Sequence, residues 1–129
     1  MADAAMKKNR PVYLDLVRIR LPLPGFVSIL HRASGLILFA LVFWLLSLLD
    51  RSLASPEGYA QVRETIAHPL VKLLLIGIGW AFFHHFCAGI RYLLIDMHIG
   101  VDLAAARASS WAVLGASIFL TLIFGAWVW

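Results

Sequence analysis

The chain has 129 residues, 62% of them hydrophobic and 14% charged, an apolar excess that excludes a soluble domain of this length. Its net charge of +4 comes from a local cluster and not from a basic face running through a folded unit, which argues against nucleic-acid partners. Cys87 is the single cysteine, so no intrachain disulfide forms, and the composition as a whole predicts one integral membrane domain over residues 1–129.

Residues 1–9 are small and polar and are expected to fray. From Arg10 to Gly25, Pro11, Pro22 and Pro24 interrupt a mixed apolar and basic stretch and argue against one continuous helix. This predicts an extended arm along the membrane surface or a partner subunit. Lys7, Lys8, Arg10, Arg18 and Arg20 give it an attraction for anionic headgroups or an acidic partner.

The first apolar segment covers about 26–49. It is too long for a signal-peptide core, contains His31 and Arg32, and lacks a small-x-small cleavage site, so it reads as a retained transmembrane helix. Ser55-Pro56-Glu57 is a helix start: a capping hydroxyl, proline at the first helical position, then an acid near the positive helix end. Tyr59, Val62 and Ile66 fall near one face and predict a short surface helix. Pro69 ends it and opens a second span over 69–95. A third span over 108–129 carries Trp111 near one end and Trp127 and Trp129 at the other, the spacing of interfacial belts. The expected fold is all-α: three transmembrane helices running up and down, with an N-terminal surface arm.

His84 and His85 lie well inside the second span. An ionisable side chain at that depth suggests function, and neutral imidazole is the commonest metal ligand. Packing against a neighbouring helix through hydrogen bonds is an equal alternative. Gly89 stands one turn from His85 and would let a flat macrocycle lie close to the helix. Adjacent helical residues differ by about 100°, so both histidines do not face one iron. In the first span Ser28, His31 and Arg32 are three and four apart and predict one polar face. A lone arginine there would read as an interface anchor; the three together offer donors for a carbonyl or carboxylate. His85 is roughly 15 Å from the Asp96 end of its span, and Arg32 roughly 8 Å from the start of its own. Both therefore sit in the same membrane half, with Arg91 nearer the surface. A haem ligated at His85 would direct its propionates toward His31, Arg32 or Arg91, whose charge offsets the cost of carboxylates in a low dielectric.

Ser28-Ile-Leu-His31-Arg32-Ala-Ser-Gly35, His85-Phe-Cys-Ala-Gly89-Ile-Arg91 and Asp96 together resemble the cytochrome b membrane-anchor subunit of succinate dehydrogenase (respiratory complex II). Arg10-Pro-Val-Tyr-Leu-Asp-Leu16 and Ser55-Pro-Glu-Gly58 resemble its bacterial members, and the likeness covers residues 10–129. The resemblance implies that His85 is an axial ligand of haem b, with the second ligand from a smaller anchor subunit. It implies that Ser28 and Arg32 line the ubiquinone site and that His31 and Arg32 lie near the haem propionates. Iron–sulfur and flavoprotein subunits are the implied partners, and a bacterial cytoplasmic membrane the implied location. The chain departs from the pattern at His84, beside the expected ligand, and at Tyr92, where many members carry a second histidine. A fumarate reductase anchor using menaquinone and a cofactor-free structural subunit are the alternatives.

Lysine and arginine bias sets orientation. The arm side carries the five basic residues above together with Arg107, and Arg91 just inside the membrane; the opposite side carries Arg51, Arg63 and Lys72. The arm side is therefore expected to be cytoplasmic and Trp129 periplasmic. Reporter fusions after residue 54 and at the C-terminus should both report the periplasm, and a cytoplasmic signal from either reverses this orientation.

Overall fold

Proline decides where the first three helices begin. A computed structural model describes residues 20–129, so residues 10–19 of the expected arm lie outside the described part. The described chain is four helices: α1 (Leu23–Ala54), α2 (Pro56–Ala67), α3 (Pro69–Asp96) and α4 (Leu103–Val128). Pro22 is the extended residue before α1, and Pro24 stands in its first turn, where a missing N–H leaves no intrahelical bond unmade. The arm expected to continue to Gly25 thus gives way to helix at Leu23. Pro56 and Pro69 each open a helix at its first position.

Ser55 separates α1 from α2 and caps the latter, its Oγ accepting from the Gly58 N–H at 3.0 Å. That hydroxyl and the helix start also act on Glu57. Its own backbone N–H first, then Ser55, hold its carboxyl below the usual range. Of the three apolar positions on α2, Val62 is buried while Tyr59 and Ile66 are exposed, so the helix packs on the bundle through Val62. Between α3 and α4 the chain turns through His98 and Gly100, both in the left-handed region at φ 62° and 72°. Asp102 then caps α4, its Oδ1 accepting from the Ala105 N–H at 3.0 Å. This cap starts α4 at Leu103, ahead of the apolar segment expected from 108.

Three helices, α1, α3 and α4, are long and apolar enough to cross a membrane. α3 is the middle one and packs against both others. Its buried positions are Gly79, Ala81, His84, Ala88 and Arg91; those of α4 are Ser110, Val113, Ser117 and Thr121. Small side chains let helix backbones approach closely where lipid gives no hydrophobic drive to association. The α4 hydroxyls bond within their own helix: Ser110 to the Ala106 carbonyl at 2.7 Å, Ser117 to Leu114 at 3.0 Å and Thr121 to Ser117 at 2.7 Å. The close face is therefore small and polar without unmet hydroxyls. At the opposite end, Lys72 donates to the Trp129 carbonyl at 2.9 Å and lies over its ring, a cation on the negative end of α4. α1 is the least covered helix, with Leu36, Phe39, Phe43 and Leu53 all exposed.

Gly79 of α3 lies against a ring of α4: an added Cβ would lie 2.6 Å from Phe124 Cδ1. Overpacking of this kind costs about 1–3 kcal/mol. Gly79→Ala should lower the thermal midpoint of the purified protein. Gly77→Ala, where a Cβ meets nothing within 4 Å, should leave the midpoint unchanged or raise it. Equal midpoints for the two variants would remove Gly79 from the packing argument.

Candidate functional site

The polar residues of α1 divide between two directions. Ser28 and Arg32 stand one turn apart and are joined: Arg32 Nη2 donates to Ser28 Oγ at 3.1 Å, and Nε to the Ser28 carbonyl at 3.4 Å. Arg32 is exposed and, with Ile29, Ala33 and Leu36, lines a recess on the outer side of α1. His31 points the other way, toward α3. The single polar face expected for Ser28, His31 and Arg32 is in fact two, because His31 is one residue, and so about 100°, from Arg32.

His31 stacks on His85, ring centroids 4.1 Å apart and planes within 9°. Tyr92 lies 5.1 Å from His31 at a 54° tilt. His85 Nδ1 is 3.0 Å from the His31 carbonyl oxygen and 3.3 Å from Ser34 Oγ. A carbonyl only accepts, so Nδ1 carries the proton and donates it, which leaves the lone pair on Nε2. Ser34, buried, donates to the same carbonyl at 2.9 Å. Gly35 makes the approach feasible: a Cβ there would lie 2.8 Å from His85 Cε1. The glycine that clears the His85 ring is thus Gly35, across the helix interface. Gly89 sits beside His31, where an added Cβ would come 3.9 Å from His31 Nε2.

His84 faces the interior. It is 0% exposed and stacks on Trp80, centroids 5.4 Å apart. Among the described residues no hydrogen bond of good geometry reaches its ring nitrogens, beside which the Val27 backbone stands, or the buried Tyr92 hydroxyl. A residue enclosed on all sides offers no room for a macrocycle, whereas His85 is only half-buried. Arg91 turns to α4, where Nε donates to Ser109 Oγ at 2.9 Å and Nη2 to the Ala106 carbonyl at 3.3 Å. It touches the histidine pair only through Tyr92, whose ring lies 5.5 Å from its guanidinium carbon.

The structure therefore brings together Ser28 with Arg32, and His31 with His85 and Gly89. It adds Ser34, Gly35 and Tyr92, and sets Arg91 apart. Ser34 and Gly35 stand in the run that begins at Ser28, one and one-half to two turns beyond it, and nothing in their type separates them from ordinary small packing residues. Among the described residues no three histidine, cysteine or acidic side chains converge as a metal cluster. What the arrangement offers is one oriented imidazole with a free Nε2 and, around the helix, a guanidinium–hydroxyl pair on an open face.

Residues 6–124 match the model of a family described as succinate dehydrogenase/fumarate reductase transmembrane subunit. The succinate dehydrogenase cytochrome b556 subunit of Coxiella burnetii is 32% identical over 125 residues, covering 96% of this chain and 100% of that protein. The corresponding subunit of Paracoccus denitrificans is 32% identical, covering 95% of this chain and 94% of its own length. That of Rickettsia felis is 33% identical, with 93% and 92% covered.

Proposed function

The chain belongs to the family of succinate dehydrogenase and fumarate reductase transmembrane subunits, and on that premise we propose that it holds haem b and half of a ubiquinone-reducing site as the larger anchor of succinate dehydrogenase. The bond from His85 Nδ1 to the His31 carbonyl carries the reading. Metal-bound histidines commonly donate their second ring nitrogen to a carbonyl or carboxylate, which fixes the tautomer and the ring direction. Ser34 and Gly35 do the remaining positioning, one bonding the same carbonyl and the other admitting the ring. The relatives' own names describe cytochromes b556, in keeping with an imidazole-ligated haem. Bound there, a haem supplies reversible one-electron transfer.

His31 is not the opposite ligand in this reading. Its ring lies flat on that of His85 at 4.1 Å, too close for a macrocycle to pass between. The second ligand therefore comes from a smaller anchor subunit. His31, stacked on His85, and Arg32, on the outer side of α1, are the donors assigned to the two propionates in this reading, and Gly89 keeps the helix surface low beside His31. Arg91, held by α4, is left out of that set. The exposed side of α1 that bears Ser28 and Arg32 meets the partner subunits, among them the iron–sulfur protein that receives electrons from the flavoprotein. The site lies in the cytoplasmic half of a bacterial membrane.

The test of ligation is spectroscopic. In the complex purified from membranes, His85→Leu should abolish or loosen the reduced-minus-oxidised b-type absorbance, while His84→Leu should retain it. The reverse pattern would move the ligand by one residue, and an absence of haem bands from the parent complex would remove the haem altogether.

Ubiquinone carries two carbonyl oxygens that gain negative charge on reduction. Donors fixed where that charge develops stabilise the change, provided water is excluded. Ser28 Oγ and the Arg32 guanidinium, already 3.1 Å apart, form such a pair for one carbonyl. A charged or neutral hydrogen bond is worth about 1–3 kcal/mol, so losing one costs on the order of tenfold in rate. Ser28→Ala and Arg32→Leu should each lower quinone reduction by about that factor while succinate still reduces a soluble dye. Parental quinone rates in both assembled variants would make these residues anchors only.

A further inference from the structure

The carbonyl oxygen of His31 meets more donors than it has lone pairs. A peptide carbonyl has two. α1 runs unbroken from Leu23 to Ala54, so the Gly35 N–H bonds this oxygen within the helix. Ser34 Oγ donates to it at 2.9 Å, and His85 Nδ1 at 3.0 Å. Three donors thus divide one acceptor, and each weakens the others. The backbone fixes the first of them. The contest lies between the hydroxyl and the imidazole.

Both competitors are held in place. Ser34 is 2% exposed, so its hydroxyl is closed off from solvent. The His85 ring is confined on two sides. His31 stacks on it at 4.1 Å, and a Cβ at Gly35 would lie 2.8 Å from its Cε1, so the ring rests on the α1 backbone. What varies at His85 is therefore the strength of its Nδ1–H bond and not the partner. Ser34 Oγ, 3.3 Å from Nδ1, is the longer and weaker acceptor for the same proton. Its main effect on His85 passes through the carbonyl it occupies. A serine that bonds back to its own helix is the ordinary small residue of this bundle. At position 34 the carbonyl so used is also the one that orients an imidazole of another helix.

We propose that Ser34 is a positioning residue that raises the reduction potential of a haem held at His85, by drawing on the carbonyl to which His85 Nδ1 donates. The inference rests on the haem reading above and adds the control of its potential. An imidazole that donates a strong Nδ1–H bond is the more basic ligand at Nε2. A more basic ligand favours oxidised iron, which carries one more positive charge. Dividing the carbonyl weakens the Nδ1–H bond and moves the balance toward reduced iron. Hydrogen bonds beyond the axial ligand are one of the levers a protein has on haem potential. When one electron arrives from the iron–sulfur subunit, no bond to His85 forms or breaks, and the proton stays on Nδ1. Only the relative stability of the two oxidation states changes.

The complex purified from membranes is titrated through its redox range while the b-type absorbance is followed. Ser34→Ala frees the carbonyl and should lower the midpoint potential by about fivefold in the redox equilibrium constant, which is roughly 40 mV for one electron. Ser34→Cys, with a weaker donor, should fall between the two, and it decides the matter if Ser34→Ala does not assemble. The redox-difference infrared spectrum is the second readout. In Ser34→Ala the band of the ligating imidazole, assigned with isotope-labelled histidine, should move toward a stronger Nδ1–H bond. A hydroxyl that served packing alone would leave that band in place or, on removal, move it the other way. Parental potentials in the variants, a raised potential, or a band that does not move as stated overturns the proposal. His85→Leu separates this failure from that of the haem reading. Haem bands missing from the parent, or kept in His85→Leu, overturn both. Haem lost from His85→Leu, with the Ser34 variants at the parental potential, overturns the role of Ser34 alone.

Discussion

Within a hydrocarbon layer a polar group left without a partner costs more than almost any packing contact returns. The bundle depends on how it meets that constraint while bringing helices close. Its answer is to put serine and threonine on the close faces and let each hydroxyl bond a carbonyl of its own helix. Such a side chain is hardly larger than alanine and needs nothing from the neighbouring helix. α4 can then lie on α3 closely enough that Gly79 has a phenylalanine ring where a methyl would be. The same device recurs where α1 meets α3: Ser34 bonds back to His31, and Gly35 beside it accepts an imidazole.

That local economy orients His85. A ring placed against a helix backbone finds few groups able to hold it, and the one available is the carbonyl that Ser34 also uses. The neighbouring His84 shows the contrasting case. Among the described residues no hydrogen bond of good geometry reaches its ring nitrogens, the Val27 backbone being the nearest polar group that acts on the ring. Its ring stacks on Trp80. Two adjacent histidines of one helix are thus opposite in kind: one has its hydrogen bond made and a lone pair to offer, the other is enclosed and stacked on Trp80.

The helices were legible in the sequence because length, proline and capping chemistry are local. Ser55-Pro56-Glu57 and Pro69 mark starts that the structure keeps. The boundaries that differ do so for local reasons too: Pro24 is tolerated in a first turn, and the Asp102 cap extends α4 into a stretch too polar to look membranous. Side-chain direction was much less legible. A helix apolar on nearly every side has no hydrophobic stripe to say which face turns inward. Spacing alone could join Ser28 to Arg32, since both lie on one helix. It could not tell that His31 crosses to His85, that Gly35 clears that ring, or that Arg91 turns to α4. Those facts belong to pairs of helices.

The two arginines within the spans show how much that pairing decides. Arg32 and Arg91 have the same charge, and each stands roughly 8–14 Å inside its helix end along the axis. Arg32 lies on the uncovered side of α1 and binds the hydroxyl one turn before it, so its cation remains available to whatever meets that face. Arg91 lies between two helices and spends two donors on α4. Removing Arg32 would leave only a serine with an unused hydroxyl on an exposed surface. Removing Arg91 would leave Ser109 and the Ala106 carbonyl at the interface to rely on their own mutual bond, which already exists at 3.2 Å. That bond lies within α4, so among the described residues the polar link between α3 and α4 at this point is the Arg91 guanidinium. One arginine is thus spent on joining two helices, while the other keeps its charge on an uncovered face.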